Sequence, residues 1–110
     1  LREFRIHSRE LPDTTVMVLE GELDVASAAE LGREIERADH EGSRLVMDLR
    51  GLSFMDSTGL RALVAASDSA EAAGREFVVI RGPRQVERLL TVTRVAERLT
   101  ILDDYDLPEA

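Results

Sequence analysis

Residues 15–19, 45–49 and 77–80 are short runs with few polar residues, and the stretches between them carry apolar residues at helical spacing. A strand with one wet face alternates apolar and polar side chains, so runs this continuous must be covered on both faces, as in parallel sheets flanked by helices. That requirement sets the fold class as α/β and governs the reading of everything between the runs. Residues 3–8, where Phe4 and Ile6 alternate with Arg5 and His7, read as an edge strand. Pro12-Asp13 gives turn chemistry before the second strand, which Gly21 is expected to end. Ser27-Ala28-Ala29-Glu30 has capping-box spacing, and Ala28, Leu31, Ile35 and Ala38 form the inner stripe of a first helix running to about Asp39, released by Glu41-Gly42-Ser43. After the third strand, residues 50–55 read as a short loop. A second helix follows from Asp56-Ser57, with Leu60, Leu63, Val64 and Ser67 on one face, and ends near Ala73-Gly74 in a left-handed cap. Pro83 falls in the first turn of a third helix whose inner stripe is Val86, Leu89, Leu90 and Thr93. Residues 95–99 read as a short helical turn, residues 100–102 as a last strand, and residues 103–106 as a solvated end or the stub of a further helix.

Strands alternating with helices across short connections imply right-handed crossovers. The expected fold is a single domain over residues 1–110. It is an α/β sandwich with a mostly parallel sheet of about five strands, an antiparallel N-terminal pair, and three to four helices packed against the sheet. The chain starts at Leu1 and not at methionine, which leaves open that native residues precede it. No apolar run approaches the ~20 residues of a membrane-spanning helix, and residues 1–10 lack the apolar centre of a signal peptide.

Charge and composition remove several function classes. The 22 acidic and 14 basic residues give a net charge of -8, and the pI is about 4.7. Phosphate backbones are bound through clustered Lys and Arg, and the arginines here are scattered, so no direct nucleic-acid contact is expected. Aromatic residues make up 4% and Trp is absent, which removes a base-stacking platform. With no cysteine there is no disulfide, thiolate metal site or cysteine nucleophile. The seven glycines never form a phosphate-binding loop, which argues against a nucleotide hydrolase. His7 and His40 have no neighbouring ligands in the sequence to complete a metal site, and no histidine near Ser57 offers a base for a hydrolytic triad. No metal and no cofactor are expected.

The informative stretch runs from Asp48 to Leu60, where a buried strand enters a short loop and Asp56-Ser57-Thr58-Gly59 then begins a helix. With Asp56 as the cap, Ser57 and Thr58 fall in the first turn, where backbone N–H groups lack intrahelical partners and an anion on Ser57 is accommodated. Gly59 weakens the helix by up to ~1 kcal/mol relative to alanine, which fits a surface kept flat for a close approach. The residues also allow a plainer reading, in which Asp56 and Ser57 only cap a helix. Met55 and Phe54 read as an apolar docking ridge beside Ser57, with one of the two in the core.

These segments, together with Gly21-Glu22-Leu23-Asp24, Asp48-Leu49 and Val95-Ala96-Glu97-Arg98-Leu99 in this order, resemble the STAS domains, and among them the stand-alone bacterial anti-sigma factor antagonists. The resemblance runs from about Phe4 to Leu102. It implies a chain that catalyses nothing and acts in the cytoplasm. Its partner would be an anti-sigma factor that is also a GHKL-type serine kinase, bound by the unphosphorylated form so that the sigma factor is freed. The acceptor serine of the family corresponds to Ser57, and a PP2C-like phosphatase restores its hydroxyl. The family's aspartate at Asp24 implies a role in orienting the kinase's nucleotide-bearing site or the acceptor; as a bare residue it is a loop aspartate before a helix. Thr58 stands where many members have serine, and is expected to serve in contact or capping rather than as a second acceptor. The partner-binding set is therefore Asp24, Met55, Asp56, Ser57, Thr58 and Gly59. Two rival readings keep the fold: a STAS subunit of a larger assembly, such as a stressosome or a lipid-transport ATPase complex, and a module sensing a small ligand or nucleotide.

Overall fold

The computed structural model describes residues 3–37 and 42–105. Its elements, in chain order, are β1 (Phe4–Glu10), β2 (Thr14–Leu23), α1 (Val25–Arg37), β3 (Arg44–Met55), α2 (Ser57–Ala72), β4 (Glu76–Ile80), α3 (Arg84–Val92), a single 3₁₀ turn (Val95–Arg98) and β5 (Thr100–Leu102). The five strands lie in the sheet in sequence order. β1 pairs antiparallel with β2, and every later pairing is parallel.

The middle of the sheet departs from the expectation. Gly21 does not end β2: it adopts φ 97° within the strand, and β2 continues to Leu23. The loop expected at residues 50–55 is the second half of β3. Two register shifts explain why this half reads poorly. Val18 faces Asp48 and Glu20 faces Gly51, then Gly21 faces Leu52 and Glu22 faces Phe54, so β3 carries extra residues at each step. Each bulge breaks the two-residue period, and the buried side chains of this half, Leu52 and Met55, stand three apart. Glycine is required where the strands are distorted. A Cβ on Gly21 would lie 2.1 Å from the Glu3 carbonyl oxygen, and one on Gly51 would lie 2.8 Å from that of Leu19.

The helices follow the expectation more closely. Asp24, not Ser27, caps α1: the Ala26 and Ser27 N–H groups both donate to Asp24 Oδ1 at 3.2 Å, while Ser27 Oγ accepts from the Asp24 N–H at 2.8 Å. The capping box is real but begins three residues earlier than its Ser27–Glu30 spacing indicates. α1 runs to Arg37; the expected end at Asp39 and the Glu41 of the release segment lie outside the described residues. α2 ends with Ala73 as its cap and Gly74 at φ 73°, the left-handed exit read from the sequence. Its buried positions are Gly59, Leu60, Leu63, Ala66 and Ala70, so the stripe lies toward the small residues, and Val64 and Ser67 are half-buried. Pro83 is the cap of α3 and not a first-turn residue, and the buried positions there are Val86 and Leu90. Thr93, expected in that stripe, is exposed.

All three helices pack on one face of the sheet. Leu31, Leu63 and Leu90 join Met17, Leu45, Met47 and Val79 in one cluster, against which Phe4 and Ile6 also pack. The opposite face carries a smaller cluster, Val16, Val46, Val78 and Ile80, and among the described residues Val18 and Tyr105 pack against it. Helix cover on both faces, inferred from the continuous apolar runs, is not found among the described residues. Each strand from β3 onward adds on the same side of its predecessor, and right-handed crossovers then place every helix on the same face.

The segment after β5 is solvated at Asp103 and Asp104, as expected, but is also tied to the sheet. Arg81 Nε donates to Asp103 Oδ1 at 2.7 Å, and the Tyr105 hydroxyl donates to Asp48 Oδ2 at 3.2 Å. Residues 103–105 are not helical, and Asp106 lies outside the described residues. Asp48 is a buried carboxylate in β3, gripped by Arg50 through Nε to Oδ1 at 3.1 Å and Nη2 to Oδ2 at 2.8 Å. Burial alone pushes its carboxyl upward, but the hydrogen bonds and charge of Arg50, with the Tyr105 hydroxyl, hold it below the usual carboxylate range. A carboxyl depressed in the folded state contributes stability above its unfolded pKa, and loses that contribution as the pH falls through its folded value. In urea melts between about pH 7 and about pH 3, Asp48→Asn is expected to lower stability at neutral pH by ~1–3 kcal/mol and to flatten the acid limb. An acid limb identical to that of the wild type contradicts this.

Candidate functional site

The parallel pairing of β2 and β3 persists to Leu23 and Met55, the last residue of each strand. The Asp56 N–H donates to the Leu23 carbonyl at 3.2 Å, so Asp24 and Asp56 leave the sheet side by side. Each caps the helix that follows. Asp56 is extended (φ −107°, ψ −173°), and its Oδ1 accepts from the N–H groups of Thr58 at 2.9 Å and Gly59 at 3.1 Å. Ser57 is the first residue of α2 and is exposed, whereas Thr58 is half-buried. The site is thus an outward serine hydroxyl on a rigid strand-to-helix corner, with two helix-capping carboxylates supplied by neighbouring strand ends.

Three of the residues assigned to partner contact prove to be engaged differently. Gly59 is buried, and a Cβ there would come within 2.6 Å of the Leu23 carbonyl oxygen, 2.8 Å of Leu23 Cγ and 3.0 Å of Met55 Cγ. The close approach that requires glycine is therefore α2 against the chain's own β2. Met55 is 7% exposed and belongs to the core, while Phe54 is 37% exposed, so of the expected ridge Phe54 supplies the outer surface. The carboxylate of Asp24 is committed to the start of α1. Asp56 is the cap, as expected, and its carboxylate occupies the N–H groups of Thr58 and Gly59, which are therefore not open to another anion.

A feature not read from the sequence adjoins this corner. Phe54, Met55, Gln85, Arg88, Leu89 and Val92 line an open groove of about 360 Å³ between the end of β3 and α3. Gln85 Nε2 donates to the Ser53 carbonyl at 2.8 Å and fixes α3 there. Val92 is 70% exposed. A valine off the inner stripe of a short helix was the available signal. His7, by contrast, sits far along the chain in β1 with its Nε2 2.9 Å from Glu20 Oε1; His40 lies outside the described residues. Among the described residues no cluster of three or more His, Asp or Glu could hold a metal, and no helix is long and apolar enough to cross a membrane.

Two substitutions test this geometry. Asp56→Ala is expected to destabilise the protein by ~1 kcal/mol through loss of the cap, and Gly59→Ala by ~1–3 kcal/mol through the clash with Leu23. Ser57→Ala should stay within ~0.5 kcal/mol of wild type. Chemical denaturation of the three variants measures all of this, and a Gly59→Ala protein as stable as wild type contradicts the packing.

Residues 5–106 match the family model of the STAS domain. An anti-sigma factor antagonist from Mycobacterium paratuberculosis superposes with a TM-score of 0.77 at 19% identity, over 94% of this chain and 89% of that one. The anti-sigma factor antagonist SpoIIAA in its unphosphorylated form superposes with a TM-score of 0.75 at 20% identity, over 91% of this chain and 88% of that one. In sequence, 75 residues, 68% of this chain, are 28% identical to Osmosensory protein A of Mycobacterium tuberculosis and span 48% of it, about half the length of that curated relative. A family match over residues 5–106, on a mixed five-stranded sheet with the antagonists' architecture, establishes that the chain belongs to the STAS domain family.

Proposed function

We propose that this protein is an anti-sigma factor antagonist controlled by reversible phosphorylation of Ser57. In its unphosphorylated form it binds an anti-sigma factor that is also a GHKL-type serine kinase, and so frees a sigma factor in the cytoplasm. Phosphorylation at Ser57 ends that binding, and a PP2C-like phosphatase restores it. The chain itself is a substrate and a binding module, not an enzyme.

The observation that carries this reading is the exposed Ser57 hydroxyl at the start of α2, on a corner fixed by the Asp56 cap. A kinase needs a hydroxyl it can reach, and a switch needs the modified atom to lie on the docking surface. The groove from Phe54 to Val92 starts three residues before Ser57 and supplies apolar surface beside it. Asp24, Asp56 and Thr58 complete the proposed contact surface, with Met55 as the floor of the groove. Adding about −1.5 to −2 charge at such a corner repels or desolvates the partner without moving the fold. The fold shared with SpoIIAA, a protein solved in its unphosphorylated form, is consistent with the same use of this corner.

The test is a pull-down with wild type, Ser57→Ala and Ser57→Asp, together with intact mass of the native protein. The alanine form should capture a GHKL-type protein, and the aspartate form should bind it ~30-fold or more weakly, a loss of ~2 kcal/mol or greater. The native protein should carry one phosphate on Ser57. Undiminished binding by the phosphorylated protein overturns the proposal, and capture by none of the three forms shifts the reading to a subunit of a larger assembly.

A further inference from the structure

A phosphate on Ser57, the reading on which this inference rests, would arrive at a turn where three backbone donors are already engaged. Asp56 Oδ1 holds the N–H groups of Thr58 and Gly59, and the Leu60 N–H donates to the Asp56 carbonyl at 2.9 Å. The Asp56 carboxylate is itself a like charge next to the new one. The helix end offers the phosphate its dipole and the Ser57 N–H, in competition with a cap already in place, so a full neutralising charge would come from a side chain.

Arg61 is the cation positioned for this. It follows Ser57 by four residues in α2 and so shares its face of the helix. Helical side chains lean toward the N-terminus, which carries the Arg61 guanidinium back over the first turn. Arg50, Arg81 and Arg98 are each engaged by an aspartate. Arg61 is exposed and has no hydrogen-bond or ion-pair partner among the described residues. We propose that Arg61 is the counter-ion of phosphorylated Ser57, held in an i,i+4 charge pair along the outer face of α2.

Such a pair gives the modification two effects. Before phosphorylation, Arg61 lies one turn from the acceptor with no partner among the described residues, and its charge offsets that of Asp56. Afterwards it is engaged by the phosphate, and the summed charge of Asp56, Ser57 and Arg61 moves from zero to about −1.5 to −2. A partner that used the cation loses it in the same event that introduces the anion.

The experiment installs phosphoserine at position 57 by codon reassignment, which needs no kinase, and titrates the phosphate by phosphorus-31 NMR in wild type, Arg61→Ala and Arg61→Lys. A guanidinium favours the dianion, so the second ionisation should lie lower in wild type than in Arg61→Ala by ~0.3–0.5 pH unit, a two- to threefold change. Arg61→Lys should keep part of that shift, and 1 M salt should shrink it. Unphosphorylated Arg61→Ala should melt with the wild type, which separates loss of the pair from loss of the fold. Superimposable phosphate titrations of wild type and Arg61→Ala overturn the assignment. Because the phosphate is installed directly, a native protein never phosphorylated in its cell would defeat the switch reading while leaving the charge pair standing.

Discussion

The site depends on one constraint: β2 and β3 stay paired to their last residues. Had β2 stopped at Gly21, as the sequence implies, Asp24 and Asp56 would leave the sheet at different heights and the two helices would start apart. Instead the Leu23–Met55 pairing and the bond from the Asp56 N–H to the Leu23 carbonyl bring both strand ends to one edge. The bulges accommodate the extra residues of β3, and Gly21 and Gly51 make the bulges possible by removing side chains where backbones meet. A tight sheet edge is thereby turned into a platform from which two capped helices depart.

The same sheet explains the unequal treatment of its two faces. Successive right-handed crossovers put α1, α2 and α3 on one side, where most of the apolar area is buried. The other side is left to four β-branched residues, on which Tyr105 packs. Asp48 stands near this second face, and a buried carboxylate there is tolerable only because Arg50 and Tyr105 satisfy it. The guanidinium of Arg50, 5.4 Å from the Tyr105 ring centre, holds sheet and C-terminal segment together through one charge.

Much of this was legible in the sequence where a period or a cap is strong. The antiparallel opening pair, the three helices, the Asp56 cap and the Gly74 exit all follow from local chemistry. The second half of β3 was not legible, because bulging replaced the alternation that marks a strand with a three-residue spacing from Leu52 to Met55. The start of α1 was misplaced because Asp24 and Ser27 form a box as good as Ser27 and Glu30, and only the path of β2 decides between them. The serine was recognisable, but the reason for Gly59 was not: the atom it avoids belongs to Leu23, 36 residues earlier in the chain. The groove beside α3 was also hidden, since it joins Phe54 to Val92 through a crossover that no local pattern encodes.

The two residues at either end of the Ser57-Thr58-Gly59 triplet differ in burial, and this divides what a substitution at each would touch. Ser57 meets solvent and holds up nothing, whereas Gly59 is wedged against β2. A change at Ser57 therefore alters the surface of an intact scaffold, while a change at Gly59 drives a side chain into the Leu23 backbone. One end of the triplet is thus answerable to the fold and the other to the surface.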